Sequence, residues 1–311
     1  MRRAERIARL ASMAMALIGA VILIGAAMSV NVHPDADAYW LAAQRLHQGL
    51  PLYSGPVGDE TQIYRYAPWF AYAWLPLTYL PRELAFAIWR AILIAASAAA
   101  VWPLLRRPTP ASLTLAVLMG GLLVSNLSAA NVTALLVGLL TVTLRTRAGP
   151  VAVGIAASLK LFPILLAAGY IAERRWWAAT TSVAVAALLW AQLLLFDLSR
   201  YPVNIGGSSF FLGGVSLYRI SPGVWAVAVA CLLVALAALA RRRSPWTWLL
   251  AAAAIPTVVP RVWLPDAGYL VPVVPVLTED LTRQADTSAG RGPASSLGRP
   301  HTTPHPPPDR G

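Results

Sequence analysis

Two aspartates, Asp35 and Asp37, stand just past a long apolar run, in a cluster with His33, Tyr39 and Trp40. A chain this oily has little reason to hold acids beside a lipid surface unless they act there. A carboxylate in such a place can take the proton from a sugar or lipid hydroxyl as that oxygen attacks an anomeric carbon. Arginine can hold the departing phosphate through paired, charge-assisted hydrogen bonds. Tyr and Trp can stack on sugar faces at headgroup depth. The candidate base is therefore Asp35 or Asp37, and the candidate phosphate ligands are Arg65, Lys160 and Arg261. Tyr39, Tyr64, Tyr66, Asn131 and Asp266 are candidate substrate contacts. Lys160 is the one lysine in the sequence, set between two leucines in an apolar segment. Such a charge is costly unless it reaches an anion or the interface.

Plainer readings stand beside these. Asp35 and Asp37 fit the start of a helix, where acids are favoured. Arg65 could anchor at the interface, and Lys160 could snorkel to the headgroups. Asn131 could be a helix cap, and Arg261 and Asp266 are close enough in sequence to pair with each other. Asn126-Leu127-Ser128 and Asn131-Val132-Thr133 match the glycosylation pattern, but a short linker at a membrane face suits it poorly.

The elements that must position these residues are membrane helices. The 311 residues are 58% hydrophobic and 12% charged, and the mean hydropathy is +0.61. A soluble domain would be about a quarter charged. Repeated apolar runs predict an all-α, polytopic membrane protein with about eight to ten spanning or re-entrant helices. The net charge of +12 sits in arginine clusters at helix ends: 2 to 9, 106–107, 145–147, 174–175 and 241–243. That is the positive-inside pattern, and it excludes nucleic acid as the partner. Cys231 is the only cysteine, so no intrachain disulfide and no cysteine-based metal site can form. No phosphate-cradling glycine loop is present, so neither a cofactor nor a soluble nucleotide donor is expected. His301 and His305 are too sparse for a metal site.

Read in order, a basic flank precedes a first span at 10–30, which carries Asp35 and Asp37 to the extracytoplasmic side. Residues 38–50 predict an amphipathic helix lying on the membrane surface, and 66–79 a re-entrant or surface-lying element. Spans follow at 83–105, 112–124 and 131–144. Crossing fully at 151–171 would put Arg174 and Arg175 outside. The break at Lys160-Leu161-Phe162-Pro163 instead predicts two half-helices that return to the same side. Further spans are read at 177–196, 223–240, 246–259 and 262–277. The second outer loop, 197–222, carries Asn204 and Arg219. Residues 1–280 form one transmembrane domain with an outer loop at 31–81, and 281–311 read as a disordered cytoplasmic tail.

Several stretches together resemble a known family. Asp35-x-x-x-Tyr39 is followed by AAQRLHQGLPLY, then by YRYAPWFAYAWLPLTYLP ahead of a helix with Trp89. ASLKLFP, AERRWW and PRVWLPDAGYLVP come later. In this order the set is similar to glycosyltransferase family 87, the polyprenol-phosphate-mannose-dependent α-mannosyltransferases of actinobacteria, which share the type C membrane fold. Of the family's third motif, Ser128-Ala129-Ala130-Asn131 keeps only the asparagine.

The resemblance implies a membrane mannosyltransferase using a polyprenyl-phosphate-linked sugar donor and a lipid or glycolipid acceptor. It implies a site on the extracytoplasmic face of the plasma membrane, with Asp35 as the general base. A transporter with a midplane site built from proline-broken helices, or an inactive scaffold of the same fold, are the alternatives. Nearly all the polar residues, Lys160 excepted, lie at helix ends on one side rather than in mid-helix, which favours the transferase.

Overall fold

The computed structural model describes residues 21, 25, 34–53, 64–106, 110–199, 201, 217–259 and 264–280. The first span, Arg261, Asn204 and the tail at 281–311 lie outside the described residues, as does the side chain of Arg219. The described residues are helical throughout, with short 3-10 segments and no strand. The helices are α1 (Pro34–His47), α2 (Pro68–Trp74), α3 (Arg82–Leu105), α4 (Pro110–Ser128), α5 (Thr133–Thr143) and α6 (Gly149–Lys160). They continue as α7 (Ala167–Ala172), α8 (Trp176–Ala191), α9 (Leu217–Ile220), α10 (Pro222–Arg241) and α11 (Trp246–Val258). Leu75–Tyr79, Phe162–Leu166, Gln192–Leu195 and Leu264–Leu270 are 3-10 segments.

Three of the described helical runs are long and apolar enough to cross a bilayer: Arg82–Leu105, Trp176–Leu195 and Pro222–Arg241. Large apolar side chains on them, such as Trp102, Leu188 and Val234, are exposed, as a lipid-facing surface requires. The shorter helices α5, α6 and α11 are buried along most of their length. Small residues let them pack closely. A Cβ at Gly138 would lie 2.4 Å from the Ala96 carbonyl oxygen, and one at Gly169 would lie 2.2 Å from the Trp248 ring.

The predicted break near Lys160 forms, and it forms a hairpin. Helix α6 ends at Lys160, Leu161 takes a left-handed backbone (φ 57°), and Phe162–Leu166 and α7 lead back. Both arms end together: the Tyr170 hydroxyl donates to the Leu144 carbonyl at 2.9 Å, and Arg145 pairs with Glu173. Arg145 and Arg175 therefore share one end of the molecule, while Lys160 stands at the tip near the other.

Two expectations change. The helix expected at 38–50 starts at Pro34, and it is packed rather than laid on a surface. Ala36, Ala38, Tyr39, Trp40, Ala42 and Ala43 are buried, because Tyr39 and Trp40 insert among the aromatic side chains of 66–89. A long part of the expected outer loop is thus folded core. The span read at 262–277 is instead a 3-10 segment followed by a helical stretch at 273–280. Pro265 and Pro272 remove the amide donors that a continuous helix would need there.

Candidate active site

The site is built around Tyr39 on α1. Its ring sits 4.9 Å from Phe70, 5.1 Å from Tyr66, 5.4 Å from Trp74 and 6.1 Å from Trp89, measured between centroids. These angled contacts put ring edges against ring faces and make a stiff layer. The Tyr39 hydroxyl donates to the Tyr66 hydroxyl (3.1 Å) and accepts from the Val132 amide (3.2 Å). The Trp89 indole donates to the Ala130 carbonyl at 2.9 Å. The layer thereby holds the turn between α4 and α5, in which Ala130 adopts a positive φ of 53°.

That turn aims Asn131. Its Nδ2 donates to Asp35 Oδ2 at 2.8 Å, and its Oδ1 accepts from the Thr133 amide at 2.8 Å. Asn131 is thus both a cap at the start of α5 and a ligand of the candidate base. Asp35 lies in the first turn of α1, where the unpaired amides of the helix end favour a negative charge. Burial pushes its carboxyl above the usual range. Lys160, the Asn131 hydrogen bond and Arg65 work against that rise, and Asp266 adds to it.

Lys160 reaches the same place from the hairpin tip. Its Nζ is 3.7 Å from Asp266 Oδ1 and 5.7 Å from the centre of the Tyr66 ring. The Trp69 indole donates to Ser158 Oγ at 3.0 Å and ties the tip to α2. Arg65 acts on Asp35 from the segment before α2. Its Nε and Nη2 are buried and make no hydrogen bond. Tyr201 holds the Arg65 backbone, donating to its carbonyl at 3.0 Å.

Asp35, Tyr39, Arg65, Tyr66, Asn131, Lys160 and Asp266 therefore gather at one end of the molecule, although more than two hundred residues separate the first from the last. Of the remaining sequence candidates, the described Asp37 and Tyr64 lie elsewhere. Asp37 is buried against Arg82, with which it forms an ion pair. The Tyr64 hydroxyl donates to the nearby Ala67 carbonyl at 2.7 Å, so Tyr64 supports the wall behind Tyr66. The predicted Arg261–Asp266 pairing falls on a residue outside the described set. Asp266 itself pairs with Lys160.

Two residues of the site carry no warning in the sequence. Thr133 and Tyr269 are fully buried side by side, their hydroxyls have no partner but each other, and Lys160 and Asp266 bear on Tyr269. Thr133 shows up in the sequence only as the third residue of a glycosylation pattern. Tyr269 sits in an apolar stretch, where a tyrosine reads as core.

Residues 64–264 match the family model described as glycosyltransferase family 87, which covers well over half of the chain. Neither a curated protein nor a solved structure matches it.

Proposed function

The chain belongs to glycosyltransferase family 87, and we propose that this membrane glycosyltransferase moves mannose from a polyprenyl-phosphate donor to a lipid or glycolipid acceptor, with Asp35 as the base. The observation that carries the reading is the convergence of Asp35, Asn131, Lys160 and Arg65. It sets a carboxylate held by an amide donor among cations, at the end of the molecule opposite Arg145 and Arg175.

In the proposed step the ionised Asp35 carboxylate takes the proton of an acceptor hydroxyl. The freed oxygen attacks the anomeric carbon, a new C–O bond forms, and the bond from that carbon to the phosphate oxygen breaks. The phosphate leaves with the bonding pair. Arg65, with two nitrogens unengaged, suits its fork to phosphate oxygens, and Lys160 adds a second positive charge. A single displacement inverts the anomeric centre. Asp37 takes no part in this scheme, since Arg82 neutralises it. By the positive-inside rule, the arginine-rich end faces the cytoplasm and the site faces the extracytoplasmic side of the plasma membrane.

The test is an assay of membranes overproducing the protein, supplied with labelled polyprenyl-phosphate-mannose and a lipid extract. Label should pass to a lipid in wild-type membranes and stay on the donor in those bearing Asp35→Asn. Transfer at equal rates in both would remove Asp35 from the mechanism. The absence of transfer from any polyprenyl-phosphate sugar would favour an inactive scaffold.

A further inference from the structure

Behind Lys160, three buried polar groups from two elements lie close together: Asp266 Oδ1 has the ion pair with Lys160 but no hydrogen bond, and the Thr133 and Tyr269 hydroxyls have only each other. Thr133 Oγ1 comes from the first turn of α5, and Asp266 Oδ1 and the Tyr269 hydroxyl come from the 3-10 segment Leu264–Leu270. Thr133 and Tyr269 are 0% exposed and Asp266 is 6% exposed. Gly268 presses this segment against Val137 and Asn126. Tyr269 lies beside Thr133, and Asp266 and Lys160 bear on it electrostatically. Folded proteins rarely leave such groups unsatisfied, because each keeps its full desolvation cost. Three in one spot point to something that binds there.

The chemistry of the set selects what that is. Asp266 Oδ1, when ionised, only accepts, so it calls for a donor. Thr133 and Tyr269 each bring one O–H, and even if one turned to the other, a donor would remain. An anion would be repelled by the Asp266 carboxylate, while Lys160 is already drawn to that carboxylate at 3.7 Å. Neutral hydroxyl groups fit all three positions, since each can donate to the carboxylate and accept from a hydroxyl. Arg65 is different. It offers only unengaged donors and suits phosphate oxygens.

We infer that Thr133, Asp266 and Tyr269 form a socket for hydroxyls of the transferred sugar, joined to the phosphate contacts through Lys160, and that this socket sets which sugar the site accepts. The inference rests on the polyprenyl-phosphate-sugar reading above. A site that hydrogen-bonds a substrate hydroxyl discriminates strongly against a ligand lacking it, because its own buried groups are then left unpaired.

The test measures binding of two probes, polyprenyl phosphate and polyprenyl-phosphate-mannose, to the full-length protein in lipid nanodiscs. Wild type should hold the mannose-bearing lipid roughly tenfold more tightly, about what two ordinary net hydrogen bonds supply. Tyr269→Phe and Thr133→Val remove one hydroxyl each and nearly preserve volume. Each should bring the ratio of affinities towards one and leave the affinity for bare polyprenyl phosphate unchanged. Thermal unfolding run in parallel shows that the variants are folded. If wild type binds both lipids equally, or the ratio survives both substitutions, the socket holds only water and the inference fails while the donor reading stands. If wild type binds neither lipid, the donor reading falls, and the socket falls with it.

Discussion

The two ends of this molecule use the same residue types in opposite ways. At the arginine-rich end, Arg145 pairs through both terminal nitrogens with Glu173 and Asp280. Glu173 also takes a hydrogen bond from the Trp248 indole at 2.9 Å and faces Arg175 at 3.5 Å. Arg175 lies 5.0 Å over the Tyr170 ring, and Arg145 lies 6.0 Å over that of Trp248. Among the buried side-chain nitrogens and oxygens of this network, Nε of Arg145 alone lacks a hydrogen bond. At the Asp35 end, Arg65, Thr133, Asp266 and Tyr269 all keep buried polar atoms without a hydrogen bond. Charges that satisfy one another hold the hairpin arms together. Charges and hydroxyls left without hydrogen bonds carry a desolvation cost that a bound ligand could offset, which is the pattern expected where stability is traded for activity.

The largest expected break in this comparison is Asp35→Asn. Removing a positioned base lowers the transfer rate by about 10² to 10⁴. Asn keeps the size and can still accept from Asn131, so thermal unfolding should be unchanged or slightly raised, because a desolvated carboxylate is gone. The pH profile sharpens the point. The base works ionised, and burial raises its folded pKa. Wild-type transfer should therefore be complete at high pH and fall as pH drops through a value above the ordinary aspartate range. Asn131→Ala removes a contact that lowers this pKa, so its acid limb should move to still higher pH. A limb at or below the free aspartate value would contradict the assignment.

Next comes Arg65→Ala. Two of its nitrogens are unengaged in the protein alone, so the unfolding temperature should hardly move. Affinity for the donor lipid should weaken about 10- to 100-fold, the scale of lost charge-assisted hydrogen bonds. A stability loss with unchanged donor affinity would make Arg65 a structural residue like Arg145.

Glu173→Gln should show the reverse signature. It strips the charge partner from Arg145 and Arg175. Partly exposed pairs fall between the surface and buried limits, so about 1–2 kcal/mol of stability should go. Transfer per folded molecule should hold, measured as rate against the amount of folded protein. Loss of transfer without loss of stability would mean that this end takes part in the reaction.

Asp37→Asn should have the smallest effect. Its partner Arg82 is largely exposed, and exposed pairs contribute about 0–1 kcal/mol. Transfer should stay within about threefold of wild type, since a group outside the proton path supplies no general-base term. A loss as large as that of Asp35→Asn would assign the base to the wrong acid.

The amino-acid sequence by itself determined the all-helical membrane class, the arginine-rich end and the hairpin break at Lys160. These follow from local signals: apolar run length, charge at helix ends and a proline that cannot continue a helix. It also marked Asp35, Lys160 and Asp266 as charges out of place in an oily chain. It left Asp35 and Asp37 as a pair, because both acids were read ahead of the helix. The tertiary structure starts α1 at Pro34, and residues two apart on a helix point about 200° from each other. One acid therefore turns to Asn131 and the other to Arg82. Thr133 and Tyr269 had no signal to find, since a lone hydroxyl in an apolar segment reads as core. Whether such a group ends up satisfied depends on what distant segments bring to it, and only the packing of α5 against Leu264–Leu270 decided that these two have no partner but each other.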